Sequence, residues 1–238
     1  MLAGLPDAYD LRARIAPIVL ISAPVIVHAA SVGVISGSWS EASVIGLCAV
    51  ALLTLMAQFG RDLGKRLEPR LFEKWGGAPT TQLLRRRDTR IDDATKQRIY
   101  AFLEAKVSGL SFPTRDEELS DPDAADTKYF TAVHWLRSKT ADKAKFSRLR
   151  DENISYGFRR NLFGLKWVGI AISGSVAVYL IGHAALLGSL PEDIVRSPAL
   201  YVAAAALIIE ILIVSERWVE VAAFNYAYAL INAAESLE

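Results

Sequence analysis

The chain has 238 residues, 52% of them hydrophobic and 22% charged, with a formal net charge of +1. Its one cysteine, Cys48, excludes a disulfide framework or a cysteine-based zinc site within the chain, and the near-neutral charge gives no ground for expecting nucleic acid as a partner. The averages conceal two compositions: 15–36, 42–59, 167–190 and 199–214 carry no ionisable group beyond Glu210 and the histidines His28 and His183, whereas 61–166 reads as an ordinary polar protein.

Crossing ~30 Å of hydrocarbon takes about 20 helical residues. The stretches 15–35 and 167–190 meet that length, while 42–59 and 199–214 are shorter, so the last is expected to continue past Val214. Arg12 and Arg14 ahead of the first stretch, with Val27-His28-Ala29 as a cleavage triplet, also fit a secretory leader. The apolar run continues to Ile35, which favours a span. Pro17 and Pro24 do not oppose this, because neighbouring helices can satisfy the freed carbonyls.

After the second stretch, Leu63, Leu67, Leu71, Phe72 and Trp75 recur at helical spacing until Gly76-Gly77-Ala78-Pro79, with Pro69 as a point for a kink. Arg85, Arg86, Arg87 and Arg90 are expected on a short helical piece. Asp92 or Asp93 caps a helix whose apolar stripe is Ile99, Phe102, Leu103 and Val107, closed near Gly109. The chain from 110 to 123 reads as an exposed loop, and Asp121-Pro122 starts a helix with Phe130, Val133, His134 and Leu136 on its face.

The run 150–166 leads directly into the third stretch. As a helix it aligns Asn153, Gly157, Arg160 or Asn161, and Gly164 on one face, with Glu152, Tyr156, Arg159 and Phe163 beside them. Two readings stay open for it: an anchor with basic residues on lipid headgroups, or an element through which the polar insert moves the third span. The alanine-rich 218–234 reads as a continuation of the fourth stretch in one long helix.

Basic residues set the orientation. They flank the spans at Arg12, Arg14, Arg61, Lys65, Arg66, Arg70, Arg159, Arg160, Lys166 and Arg217, while the short connections 37–41 and 191–198 hold only Arg196. Both termini and the insert are therefore expected in the cytoplasm, with the spans in an inner membrane. The expected fold is all-α: a transmembrane hairpin at 1–60, a helical cytoplasmic domain at 61–166, a second hairpin at 167–217 and a cytoplasmic helical tail at 218–238.

Ionisable groups inside a span are costly and point to function, so His28, His183 and Glu210 are candidates for proton relay or cation binding. His28-Ala29-Ala30 and His183-Ala184-Ala185 sit at similar depths, hinting at related hairpins. The face made by Glu152, Asn153, Tyr156, Gly157, Arg159, Arg160, Asn161 and Gly164 is the candidate coupling element. Arg85, Arg86, Arg87, Arg148 and Arg150 are candidates for contact with lipid or a soluble cytoplasmic protein partner.

No phosphate-binding glycine loop, zinc-protease motif or nucleophile elbow occurs, so neither catalysis nor a cofactor or metal is expected. The expected function is a homo-oligomeric channel or membrane effector whose cytoplasmic domain receives a signal or partner. The alternatives are a non-conducting scaffold or sensor, for instance in a stress or phage-defence system, and a small proton-coupled transporter. The layout is similar to that of flagellar-motor stator subunits and bestrophin-type channels, without motifs that would carry residues over.

Overall fold

The computed structural model describes residues 9–36, 39–188 and 196–237, apart from the side chains of 32–54. Every regular element among them is helical. A π-helical turn, Asp10–Ile15, opens into α1 (Ala16–Ser36), and α2 (Trp39–Trp75), α3 (Pro79–Leu84), α4 (Asp93–Lys106), α5 (Arg115–Ser120) and α6 (Pro122–Lys139) follow. Then come α7 (Ser147–Leu186), α8 (Pro198–Ile208), a π-helical segment Ile209–Ile213, α9 (Glu216–Asn232) and a 3-10 turn, Ala233–Ser236. They form two units, Met1–Leu67 with Gly157–Val219, and Glu68–Tyr156 with Glu220–Glu238.

The first unit holds the apolar helices. α1 is apolar on every side, which suits a helix surrounded by lipid and neighbours better than one half in water. Asp10–Ser31, with 22 residues, and α7, with 40, are long and apolar enough to cross a membrane; Pro198–Ile213 and Glu216–Ser236 pass together as a pair bent by 68°. Two helices among the described residues are thus long and apolar enough to cross a membrane, or three if the bent pair is one span. Most of the second expected span, 42–59 within α2 and including Cys48, lies outside the described side chains, as do most of the connections 37–41 and 191–198. Large apolar side chains point outward, with Leu186 90%, Trp167 76% and Leu212 73% exposed, a surface that hydrocarbon suits and water does not. Ile18, Ile21, Ala57, Leu162, Leu165 and Val214 make the inner contact cluster.

The expected single helix through the fourth span and the tail does not form. The π-helical segment ends at Val214, which is extended, and the Ser215 hydroxyl accepts from the Trp218 N–H (3.3 Å), capping α9 as a new helix. The serine followed by Glu216 is the start signal that breaks the element in two.

The second unit packs α3, α4, α6 and the C-terminal helix around Leu83, Leu84, Leu103, Tyr129, Leu136, Leu230 and Ile231. Residues 220–237 belong to this unit and place Ala227, Leu230, Ile231, Ala233 and Ala234 in its core. Asp92 caps α4 by accepting from Thr95 N–H (2.9 Å), and Asp121 caps α6 by accepting from Ala124 N–H (3.0 Å), both as the sequence predicts. Two expectations are corrected. α3 stops at Leu84, so Arg85, Arg86, Arg87 and Arg90 lie in the turn after it. The loop expected over 110–123 contains α5, which a capping box closes: Glu117 N–H donates to the Thr114 hydroxyl (3.2 Å) and Thr114 N–H to the Glu117 carboxylate (2.7 Å).

Candidate functional site

The polar and small residues of the first unit gather where α7 crosses α1 and α2. A Cβ on Gly164 would lie 2.8 Å from Gly64 N and 3.1 Å from Gly64 Cα, and one on Gly60 would lie 2.7 Å from Leu165 Cδ1. Only glycine permits this approach, and Gly60 and Gly64, four residues apart on α2, present one small-residue face to α7.

Asn161 sits in the same crossing, 1% exposed. Its Nδ2 donates to the Ala13 carbonyl (2.8 Å), and its Oδ1 accepts from Arg160 Nη2 (3.1 Å) and, more weakly, Nε (3.3 Å). In a regular α-helix the Ala13 carbonyl would receive the N–H of residue 17, but that residue is a proline and has none. Ala13 lies in the π-helical turn, and Asn161 gives its carbonyl a side-chain donor, which matters most where water is scarce. Gly157, one turn earlier, faces the same segment, a Cβ there lying 3.2 Å from Ala13 Cβ and 3.1 Å from the Tyr9 hydroxyl.

The break after the π-helical segment is held from α7 as well. Lys166 Nζ donates to the Val214 carbonyl (2.8 Å), an end group that has lost its helical partner. Arg159 donates to the Trp218 carbonyl (3.0 Å) while its guanidinium lies over the Trp218 ring at 5.0 Å, and Phe158 packs edge-on to that ring. The predicted coupling residues Arg159, Arg160, Asn161, Gly157 and Gly164 are thus brought together as a packed junction. Tyr156 belongs to the other unit, donating to Glu68 (2.8 Å) and stacking on Tyr226, and Glu152 and Asn153 are half-buried there.

Glu210 occupies the second position of the π-helical segment, 3% exposed, against Gly169 of α7. A Cβ on Gly169 would lie 2.8 Å from Glu210 Cδ and collide with its Oε1. One turn along α7, Ser173 is fully buried, and neither its hydroxyl nor Glu210 Oε2 has a hydrogen-bond partner among the described residues. The histidines form a different group. His28 meets the Tyr179 ring edge-on at 5.7 Å, and Tyr179 lies 6.0 Å from His183. Gly169 and His183 are 14 residues apart on one helix, about 21 Å, so Glu210 and the histidines lie at separate levels of α7.

In the second unit the arginine turn is built into the fold. Arg85, 8% exposed, makes a paired contact with Asp126 (2.8 and 2.5 Å) and donates to the Gly76 carbonyl (2.6 Å), and the Asp126 bond holds its guanidinium proton still more firmly than usual. Arg86 donates to the Pro113 carbonyl and lies over Tyr100. Glu118, 2% exposed, accepts from Arg86 N–H (2.7 Å) and the Tyr129 hydroxyl (2.6 Å), and the Arg87 side chain reaches it at 3.7 Å. Buried Lys96 donates to the Arg85 and Asp88 carbonyls, and desolvation lowers its pKa. Burial pushes the Tyr100 phenol up to about 12 and raises that of Tyr129, with Glu118 adding to the latter.

Arg148 is exposed and lines a cavity of about 230 Å³ with Lys145, Phe146, Leu149 and Asn232, while Arg150 is half-buried. Arg85, by contrast, is committed within the chain. Ser173, Gly169, Gly60, Gly64 and Glu118 were not singled out by sequence. For Gly60 and Gly64 the four-residue spacing is the signal; for Glu118 it is the capping box beside it. No group of three or more His, Cys, Asp and Glu that could hold a metal occurs among the described residues. Comparison with protein-family models, curated proteins and solved structures finds no match.

Proposed function

We propose that this chain is a multi-pass inner-membrane protein with four spans and both termini in the cytoplasm. In this reading it assembles with copies of itself into a channel or membrane effector, and its cytoplasmic helical domain receives a signal or a soluble partner. The observation that carries the reading is that α2 and α7 each contribute one end to each unit, so a single helix runs from span to polar domain. At ~1.5 Å per residue, the 40 residues of α7 extend about 60 Å, twice the hydrocarbon thickness. The outward apolar side chains of α7 and α8 support a lipid environment, and the small number of spans favours assembly around an axis.

The test is to determine the mass of the protein in lipid nanodiscs and the ion flux of vesicles containing it. A single species larger than a monomer and flux above that of empty vesicles are expected. A monomer in vesicles that stay tight would overturn the proposal.

A further inference from the structure

We propose that Glu210, packed on Gly169 one helical turn from the buried Ser173, is a proton-exchanging site inside the apolar helices of the first unit. The proposal rests on reading these helices as membrane-spanning but does not require conduction. Its geometric basis is a carboxyl 3% exposed and a hydroxyl fully buried, one oxygen of each lacking a hydrogen-bond partner among the described residues. Apolar surroundings normally exclude such groups unless something neutralises or pairs them.

The site has a built shape. Gly169 leaves the space that the carboxyl fills, and Ser173, four residues on, lies on the same face of α7. Glu210 lies in a π-helical segment, a local widening often found at functional positions. The Ser173 hydroxyl makes no hydrogen bond among the described residues; a serine hydroxyl can donate to a carboxylate or accept from a carboxylic acid, which is what the Ser173→Ala variant tests.

The surrounding charges select the ligand. On α7, Lys166 lies one turn before Gly169, with its ammonium fixed on the Val214 carbonyl. α1 meets the site through Ile21; the charged groups Asp10, Arg12 and Arg14 lie in the π-helical turn before it, and His28 lies two turns beyond Ile21. α8 contributes no charge. A metal cation would face the Lys166 ammonium with one carboxylate and one hydroxyl as side-chain ligands, too few to replace its hydration shell. A proton needs only the carboxylate: the carboxylate and a hydronium ion give the carboxylic acid and water.

The test uses the full chain in lipid vesicles and a membrane-soluble carbodiimide. The acid O–H adds across a C=N bond, its proton going to nitrogen and its oxygen to the central carbon, so only the protonated carboxyl is modified. Mass spectrometry of the peptide containing Glu210, referenced to exposed Glu235, should show modification falling roughly tenfold or more between about pH 5 and about pH 9. Glu210→Gln should abolish it, and Ser173→Ala should move its pH dependence. No modification at any pH, modification that follows Glu235 throughout, or protection by sodium or potassium at fixed pH would overturn the proposal. Alkaline carbonate separates the two readings. Release of the protein from vesicles would remove the membrane premise, whereas unmodified Glu210 in protein that resists release would remove the proton site alone.

Discussion

Replacing Gly164 by alanine should loosen the junction between α7 and α2, and replacing Gly174 should not. The new Cβ at 164 would lie 2.8 Å from Gly64 N, 3.1 Å from Gly64 Cα and 3.1 Å from Leu63 C. All three are backbone atoms, so no side chain can rotate away, and the helices must separate by several tenths of an ångström. Such overpacking costs about 1–3 kcal/mol. Alanine in a helix interior is favoured over glycine by about 1 kcal/mol, a gain common to both variants. At Gly174 nothing lies within 4 Å of the added carbon, so only the gain remains. The two variants should therefore differ by about 1–3 kcal/mol, with Gly164→Ala the less stable. Unfolding of the purified protein in mixed micelles, followed by helical circular dichroism as denaturing detergent is added, measures that gap. Equal stability of the two variants would refute the close crossing.

Asn161→Leu should cost about 1–3 kcal/mol in the same assay, because the buried Ala13 carbonyl loses the Asn161 donor and the Arg160 guanidinium loses its acceptor. Glu118→Ala should destabilise by a similar about 1–3 kcal/mol by stranding the Tyr129 hydroxyl and Arg86 N–H, and the loss should register in amide exchange of the second unit. Arg85→Lys should also weaken that unit despite the retained charge, since an ammonium cannot reproduce the paired contact with Asp126. Stability should fall as pH rises from about 10 to about 12, by about 2 kcal/mol from Tyr100, because the unfolded phenol loses its proton first and then binds fewer protons than the folded one. Buried Lys96 has a lowered pKa and acts in the opposite direction below its ordinary value, so the fall should be clearest above about pH 10.5, read by tyrosinate absorbance against unfolding.

The apolar helices were legible because span length and charge depletion are properties of composition, needing no knowledge of which neighbour each side meets. The caps at Asp92 and Asp121 were legible because they depend on residues three positions apart. The Ser215 break was readable in principle by the same local signal, but the apolar run masked it. Partners distant in sequence were not legible. Nothing near residue 13 announces that Asn161, 148 positions away, will meet its carbonyl, nor does anything near 210 announce Gly169 and Ser173. The glycines of 150–166 were identified as a packing face, yet their counterpart at Gly60 and Gly64 emerged only from the crossing itself. Arg85 to Arg87 looked like a surface patch because charge runs usually are; here a buried carboxylate, Glu118, and Asp126 draw them into the fold.

The proposed function requires helices that cross a membrane with the polar insert on the cytoplasmic side. Single cysteines placed by Ser197→Cys and Ser111→Cys in a Cys48→Ala background, exposed to a membrane-impermeant maleimide on intact cells, test this directly. Labelling at 197 from outside and at 111 only after lysis is expected; labelling of both positions on the same side, or of neither after lysis, would overturn the proposed topology.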